Sequence, residues 1–470
     1  MRDLKVDLCV IGAGSAGLSV AAGAVQLGLK VALFEHREMG GDCLNWGCVP
    51  SKALIAAADA AHAARTSARL GVSAAPEISW QAVKAHVHAA IARIAPIDSQ
   101  ERFEGLGVAV IREHARFVDP YTVQSNGVRV RARRFVIATG SHPAIPPIPG
   151  LAETPHLTNE TIFSLEALPR RLLILGGGAI GVELGQAFRR LGAEVVVIEA
   201  LRLLNGADEE ATGLVRAQLA ADGVEIVEGA KAASVARSDA GVAVTLEDRR
   251  SFDGSHLLIA TGRTPAIEGL GLEAANVRFT RKGVETSPTL RTSNPRVWAL
   301  GDAAGRELLT HAAGWHASVF VRNALFKART RADGQPIPSV VYADPEIAQI
   351  GLTEAQAAER YGAAITTVRW AFEENDRAVV EADPCGFAKI IVGRKGRILG
   401  ATIVGAHAGD LIAAISLAMA NRLTIRALTN PVIAYPTRSE IWKRAAGAYY
   451  TPLLFSARTR ALVRVLQRIP

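Results

Sequence analysis

Two stretches of the sequence, 164 positions apart, repeat one pattern of apolar strand, glycine-rich turn, helix and second strand ending in glutamate. The first consists of residues 6–11, the turn 12–17, Val31–Phe34 and Glu35. The second consists of residues 172–175, the turn 176–181, residues 195–198 and Glu199. Such a turn admits a pyrophosphate to the helix N-terminus, and the terminal carboxylate suits a ribose hydroxyl. Each repeat is also followed by an apolar strand ending in Ala-Thr-Gly. The pattern therefore predicts an α/β chain with two complete dinucleotide-binding units.

Two cysteines follow the first unit, in the stretch 40–52, Gly-Gly-Asp-Cys-Leu-Asn-Trp-Gly-Cys-Val-Pro-Ser-Lys. Pro50 suits a first helical turn, which places Cys48 at a helix N-terminus. The helix dipole and the nearby Lys52 favour the thiolate of Cys48, and Cys43 supplies the second thiol that reversible disulfide chemistry requires. A zinc site would need a second ligand pair, and a structural disulfide is typical of small secreted domains. We interpret the pair as redox active.

Length and charge narrow the class of protein further. A chain of 470 residues predicts about three domains. The net charge of +8 comes mainly from residues 441–470, which hold six basic and no acidic residues, so a nucleic-acid footprint is not indicated. No apolar run has transmembrane length and no secretory signal is recognised, so we expect a cytoplasmic protein.

The stretch 40–52 resembles the GG-x-C-x-N-x-G-C-x-P-S-K signature of the FAD-dependent pyridine nucleotide-disulfide oxidoreductases, which include dihydrolipoamide dehydrogenase, glutathione reductase and mercuric reductase. The resemblance implies two Rossmann-like dinucleotide-binding domains plus a C-terminal α+β dimerisation domain, in a homodimer. The expected boundaries are 1–150 and 276–335 for the FAD domain, 151–275 for the NAD(P) domain, 336–450 for the interface domain and 451–470 for a basic amphipathic helix.

The resemblance also implies the path of the electrons. They would pass from NAD(P)H through FAD to a Cys43–Cys48 disulfide, and on to a disulfide or thiol-reactive acceptor. Cys48 would lie beside the flavin as the charge-transfer thiolate, and Cys43 would face the acceptor. Lys52 would pair with Glu183 near the flavin.

The expected cofactor contacts come from motif positions. Asp302 would bind the flavin ribityl chain, and Ala115 would meet the adenine. A carboxylate at Glu199 suits a free ribose 2′-hydroxyl and therefore favours NADH, although Arg202 keeps NADPH open. The remaining expected cofactor-binding residues are Gly12, Gly14, Gly17, Glu35, Gly41, Asp42, Lys52, Thr139, Gly140, Gly176, Gly178, Ile180, Gly181, Gly262, Arg263 and Thr310.

One segment departs from the family pattern. Thiol-handling members carry His-Pro-x-x-x-Glu, whereas this chain has Tyr435 in place of the histidine, followed by Glu440. A phenol with a pKa near 10 cannot replace an imidazole with a pKa near 6.5 as a general base at neutral pH. We therefore expect impaired turnover of dihydrolipoamide or glutathione, with Tyr435 and Glu440 of the partner bordering the acceptor pocket.

Three kinds of acceptor need no such base: a metal ion held by thiolates, a quinone, or an oxidant that attacks a thiolate. Mercuric reductases also carry a tyrosine at the matching position, but their C-terminal vicinal cysteine pair and N-terminal metal-binding module are not recognised in this sequence. A metal-ion reductase, an NADH:quinone flavoprotein with an incidental disulfide, and a redox-responsive binding module therefore remain alternatives.

The last twenty residues form a two-sided pattern if they are helical. Arg460, Arg464 and Arg468 fall on one face, Arg458 breaks the pattern, and the other face holds Phe455, Leu462, Val465, Leu466 and Ile469. Packing on the protein's own dimer is the favoured interpretation, and contact with an anionic membrane surface is the alternative.

Overall fold

The computed structural model describes residues 1–469, which form two compact units. The first unit comprises Met1–Arg65, Ala75–Arg202 and Val224–Gly334. The second comprises Thr66–Ala74, Leu203–Gly223 and the residues from Gln335 onward. Among the described residues, no helix combines the length and the apolar character that crossing a bilayer requires.

The largest sheet of the first unit has seven strands, in the order β3-β2-β1-β6-β5-β4 with β18 also paired to β6. Its strands are β1 Arg2–Ile11, β2 Val31–Phe34, β3 Ala109–Ile111, β4 Arg116–Asp119, β5 Thr122–Gln124, β6 Val128–Ile137 and β18 Val297–Ala299. Strand β1 is parallel to both β2 and β6. Leu8 and Val10 pack on one face of the sheet, and Cys9 and Ile11 pack on the other. Both faces are buried, which explains why the strand is continuously apolar instead of alternating.

The second repeat builds a four-stranded parallel sheet in the order β10-β9-β8-β14. Its strands are β8 Arg171–Leu175, β9 Glu194–Ile198, β10 Glu225–Val227 and β14 His256–Ile259. The smaller sheets of this unit are antiparallel. They consist of β11 Ala232–Ser238, β12 Gly241–Leu246 and β13 Ser251–Gly254, of β7 Ser141–Pro143 with β15 Arg263–Pro265, and of β16 Phe279–Thr280 with β17 Gly283–Val284. Two separate sheets, each with parallel strands that include the strands of one repeat, match the duplication in the sequence.

The helices of the first unit are α1 Ser15–Gln26, α2 Gly41–Asn45, α3 Cys48–Thr66, α4 Trp80–Asp98, α5 Gln100–Gly105, α6 Ala179–Arg190 and α8 Thr310–Phe320. Three of them begin where the sequence motifs place them. Helices α1 and α6 start within the two glycine turns, and α3 starts at Cys48. Helices α4 and α5 are separate helices, because Ser99 caps α5 by accepting a hydrogen bond from Arg102 N.

The second unit has a five-stranded antiparallel sheet in the order β19-β20-β23-β22-β21. The strands are β19 Ser339–Val341, β20 Ile347–Gly351, β21 Thr366–Ala371, β22 Phe387–Val392 and β23 Ile398–Val404. The helices are α7 Glu209–Ala221, α9 Glu354–Tyr361, α10 Asp376–Val380, α11 Ala408–Ala420, α12 Arg426–Thr429, α13 Glu440–Ala448, α14 Thr451–Leu454 and α15 Ala457–Leu466. Its apolar core lies between this sheet and helices α11 and α13. This α+β architecture, with the two dinucleotide-binding sheets of the first unit, confirms the predicted fold class.

The end of the described chain is two helices where the sequence pattern assumed one. Helix α14 stops at Leu454, and Ser456 caps α15 by accepting a hydrogen bond from Thr459 N. The Thr459 hydroxyl donates back to Leu453 O at 2.8 Å and closes the turn. Phe455 therefore lies between the helices and not on the face of α15.

Candidate functional site

The cysteine-bearing loop is held against the first glycine turn. Gly40 N donates to Ala13 O at 3.0 Å, and a methyl group on Gly41 would lie 2.8 Å from Gly14 Cα. Gly41 also has a φ of +64°, a conformation that favours glycine. This close approach places α2, which carries Cys43, beside the turn that would hold a pyrophosphate.

The two cysteines differ in their readiness to ionise. Cys48 Sγ lies 3.3 Å from Thr310 Oγ1, at the start of α8. A hydrogen bond from Cys43, supported by Thr310 and by the positive charge of Lys52, lowers the pKa of Cys48 to about 6. The same hydrogen bond, together with burial, raises the pKa of Cys43 well above its usual range. At neutral pH the pair therefore consists of a Cys48 thiolate and a Cys43 thiol that donates to it.

A partly buried ion pair lies beside the thiolate. Lys52 lies one turn after Cys48 in α3, and its Nζ is 2.6 Å from Glu183 Oε2 in α6. Glu183 is buried, with 6% of its side chain exposed. The pair fixes an ammonium group near Cys48, and these are the two residues that the family resemblance brings together.

A polar network joins the cysteine loop to the expected ribityl site. Arg263 Nη2 lies 3.0 Å from Asp42 Oδ1, which also accepts a hydrogen bond from Asn159. Arg263 Nε donates to Ser141 Oγ at 2.7 Å, and Ser141 donates to Asp302 Oδ2 at 2.5 Å. Burial raises the pKa of Asp302, and the hydrogen bond from Ser141 opposes that rise. Sequence reasoning missed Ser141 and Asn159, although Ser141 directly follows the Ala-Thr-Gly end of β6.

The turn that carries Asp302 has a buried support that the sequence did not reveal. Gly301 N donates to His316 Nδ1 at 3.1 Å, and His316 is 1% exposed in α8. Burial lowers the pKa of His316, so the ring stays neutral and Nδ1 remains available as an acceptor. No motif in the sequence pointed to His316.

The two glycine turns have the same geometry. Gly12 has a φ of +104°, and a methyl group there would lie 2.3 Å from Ala138 O. Gly176 has a φ of +111°, and the matching distance, to Ala260 O, is also 2.3 Å. Each turn therefore requires glycine, both for its backbone conformation and for contact with the strand that ends in Ala-Thr-Gly.

The two terminal carboxylates are also equivalent. Glu35 accepts hydrogen bonds from Ala13 N and Arg37 N, both at 2.7 Å. Glu199 accepts them from Gly177 N at 2.6 Å and Leu201 N at 2.8 Å. The other predicted cofactor residues lie in the two turns or just after the following strands: Gly14, Gly17, Gly140, Gly178, Ile180, Gly181 and Gly262.

A cavity of about 180 Å³ opens at the first carboxylate. It is lined by Gly12, Glu35, Ala115 and Thr139, and by residues that the motifs did not single out, His36, His114, His142 and Glu268. The Thr139 hydroxyl is buried and has no hydrogen-bond partner. A buried hydroxyl without a partner is costly unless a ligand satisfies it. These residues therefore fit the adenosine end of FAD.

The segment that departs from the family pattern carries a phenol tied to a carboxylate. Tyr435 is 71% exposed, and its hydroxyl donates to Asp376 Oδ2 at 2.9 Å. This hydrogen bond raises the pKa of Tyr435. Glu440 begins α13 and lines an open cavity of about 520 Å³. Sequence reasoning named Tyr435 and Glu440 but missed Asp376, which is 59 positions from Tyr435.

Comparison with known proteins covers both units. The family model described as pyridine nucleotide-disulphide oxidoreductase matches residues 6–317, and the model of the family's dimerisation domain matches residues 337–446. A Staphylococcus aureus mercuric reductase is 34% identical over 95% of this chain and 82% of its own length. A dihydrolipoyl dehydrogenase from Thermus scotoductus is 36% identical over 94% of this chain and 97% of its own length.

A solved structure has the same fold. The Cu(II) complex of the HOCl-induced flavoprotein disulfide reductase RclA from Escherichia coli gives a TM-score of 0.84 at 27% identity, covering 93% of this chain and 99% of that chain. The dimerisation domain supports a homodimer, and the family uses FAD and NAD(P)H. The chain belongs to the pyridine nucleotide-disulphide oxidoreductases.

Proposed function

We propose that the enzyme transfers two electrons from NADH to the Cys43–Cys48 disulfide, and from the reduced pair to a metal ion that binds thiolate. Bound FAD supplies the two-electron relay between the nicotinamide and the disulfide. The observation that carries the proposal is a contrast between two side chains. The pKa of Cys48 is lowered so that it is a thiolate at neutral pH, whereas the pKa of Tyr435 is raised so that it cannot accept a proton there.

The electron balance of the acceptor step is simple. NADH reduces the disulfide to a Cys48 thiolate and a Cys43 thiol and releases NAD⁺. The pair then forms the disulfide again, reduces one Hg(II) to Hg(0) or two Cu(II) to two Cu(I), and releases one proton. Thiolate ligands suit both metals, and the proton leaves from Cys43, because Cys48 is already ionised near neutral pH. No step requires a base at position 435.

Turnover of a thiol substrate such as dihydrolipoamide requires the protein to supply a proton acceptor. A thiol substrate must lose a proton before it attacks a disulfide, because the thiolate is the nucleophile. At the family's base position stands a phenol whose pKa is raised further by Asp376. The mercuric reductase and the copper complex among the similar proteins support the choice of a metal ion.

We assign roles to the remaining parts on the same basis. Residues 1–150 and 276–335 would bind FAD, 151–275 would bind NADH, and 336–450 would form the dimer. The Glu199 carboxylate at the end of β9 would accept a ribose 2′-hydroxyl and repel a 2′-phosphate. Lys52 and Glu183 would set the charge around the thiolate. We place the reaction in the cytoplasm, where thiols are kept reduced.

An acceptor screen tests the proposal. Purified FAD-loaded enzyme would be assayed with NADH or NADPH against Hg(II), Cu(II), lipoamide, glutathione disulfide and a soluble quinone. We expect metal-ion reduction with NADH, weak lipoamide turnover, and loss of metal reduction in Cys43→Ser. Cys385→Ser, which removes an exposed cysteine without an assigned role, is the matched control. Robust lipoamide turnover by the unaltered enzyme would overturn the proposal.

The same acceptor screen distinguishes metal-ion reduction from the two alternative functions, a quinone-reducing flavoprotein and a redox-responsive binding module. Quinone turnover that is undiminished in Cys43→Ser, with no reduction of either metal ion, would identify an NADH:quinone flavoprotein with an incidental disulfide. If NADH fails to reduce the bound flavin anaerobically, the chain acts as a redox-responsive binding module.

A further inference from the structure

The segment Thr451–Ile469 presents a row of large apolar side chains to solvent. Leu453 is 66% exposed, Phe455 69% and Leu462 57%, and Val465, Leu466 and Ile469 are each at least half exposed. No residue of α14 or α15 is buried. The segment is shaped by the Ser456 cap of α15, by the hydrogen bond from Thr459 Oγ1 to Leu453 O, and by main-chain hydrogen bonds such as Leu454 N to Tyr450 O.

Every charge on this segment is positive. Its charged residues are Arg458, Arg460, Arg464 and Arg468, and no acidic residue occurs between 441 and 469. Helical spacing places Leu462, Val465 and Leu466 on one side of α15, and Arg460 and Arg464 on the opposite side. A short helix with an apolar face and an arginine-rich face is typical of segments that lie in a membrane interface.

We propose that residues 451–469 dock the enzyme on the surface of a lipid bilayer that carries anionic headgroups. The apolar side chains would enter the boundary between headgroups and acyl chains, and the arginines would pair with lipid phosphates. The inference concerns where the enzyme works and is independent of the acceptor proposed above.

The position of Arg458 favours a bilayer over a second protein as the surface that α15 contacts. It lies four residues before Leu462 and so shares the apolar face of α15. Burying that guanidinium among apolar side chains of a partner would leave an unpaired charge in a dry interface, which is strongly unfavourable. At a bilayer the long side chain reaches the phosphate layer while its methylene groups stay among the acyl chains.

Two further observations oppose a second copy of this chain as the occupant. In a two-fold dimer a patch that meets its own copy brings like charges together, and this patch has no acidic residue to balance its arginines. The match to the family's dimerisation domain also ends at residue 446, before α14 begins.

Vesicle co-sedimentation of the FAD-loaded enzyme tests the inference. The probes are vesicles of phosphatidylcholine alone and of an equimolar mixture with phosphatidylglycerol. We expect binding to the mixed vesicles only. The variant R458Q/R460Q/R464Q/R468Q should bind them about a hundredfold more weakly, since each basic side chain near an anionic surface contributes severalfold.

A matched control removes the same charge elsewhere. The variant R116Q/R129Q/R131Q/R133Q takes four arginines from exposed positions on β4 and β6, and it should bind vesicles like the unaltered enzyme. A third variant, L462N/V465N/L466N, keeps every arginine and should still lose most of the binding, because charge alone does not hold a protein in the interface.

Three outcomes would overturn the inference. The first is no binding of the unaltered enzyme to mixed vesicles, and the second is an equal loss in the control variant. The third is that a chain ending at Tyr450 becomes monomeric by light scattering while vesicle binding is unchanged, which would assign the segment to the dimer. NADH-dependent flavin reduction, measured in parallel, shows that each variant is folded and loaded.

Discussion

The cysteine-bearing loop and the segment from Tyr435 to Glu440 are the two places where the family resemblance puts thiol chemistry, and they differ in the groups that they hold. In the loop, Cys48 is held as a thiolate by Cys43, Thr310 and Lys52. In the Tyr435 segment, the phenol donates its proton to Asp376 and has a raised pKa. The loop therefore carries an ionised thiol, whereas the Tyr435 segment carries a phenol that keeps its proton at neutral pH. On the proposed function, this difference concerns the choice of acceptor and not the route by which electrons arrive.

The largest effect should come from the loop itself. Cys43→Ser or Cys48→Ser should lower NADH-dependent metal-ion reduction at least about a thousandfold, as removal of a group that forms covalent intermediates usually does. The rate of flavin reduction by NADH, measured by stopped flow, should remain normal in Cys43→Ser. This result would separate the transfer of electrons into the flavin from their transfer to the metal ion. If metal reduction survives in both variants, the dithiol is not on the path.

The second-largest effect should come from the Tyr435 segment. Tyr435→His should raise lipoamide turnover by about ten- to a hundredfold, since a positioned general base contributes on that scale. Tyr435→Phe is the control and should leave lipoamide turnover low. An imidazole that brings no gain would contradict the missing-base argument.

The pH dependence of the thiolate gives a third test. Because the folded protein lowers the pKa of Cys48 to about 6, the thiolate is present above pH 6 and is protonated as the pH falls through that value. Alkylation of the reduced enzyme should therefore slow about tenfold for each pH unit below 6. Lys52→Met should raise the midpoint by roughly one unit, because a nearby positive charge is lost. A profile centred near 8.5, the usual value for cysteine, would show that Cys48 is not activated.

Much of the fold and part of the site follow from the sequence. The displacement of 164 positions predicted two equivalent turns, and the backbone at Gly12 and Gly176 agrees within a few degrees. Local sequence signals were enough there, because a turn, a helix cap and a strand end are each determined by neighbouring residues.

Contacts between distant residues carry no such local signal. Ser141 meets Asp302 across 161 positions, and Asp376 meets Tyr435 across 59. The break at Phe455 was missed because side-chain periodicity continues across a capped turn.

The network around Asp302 should give a smaller effect, on cofactor retention and not on chemistry. Ser141→Ala removes the hydroxyl that donates to the half-buried carboxyl of Asp302, and loss of one such bond should weaken FAD binding by about fivefold to tenfold. Fluorescence of released flavin during dialysis measures this directly. Ser251→Ala, on the exposed edge of β13, is the matched control and should not change FAD affinity.

The smallest effect should come from Asp376→Asn in the otherwise unaltered enzyme. Removing the carboxylate that accepts the phenolic proton should lower the pKa of Tyr435 towards its ordinary value. The absorbance of tyrosinate, compared with that of Tyr435→Phe, reports this change. An ordinary tyrosine still has a pKa near 10, so lipoamide turnover should stay low even though the hydrogen bond is gone. A large gain in lipoamide turnover from this substitution alone would mean that Asp376, and not the identity of the residue at position 435, withholds the base. The Tyr435 segment would then contain a general base that Asp376 holds inactive, and not lack a base altogether.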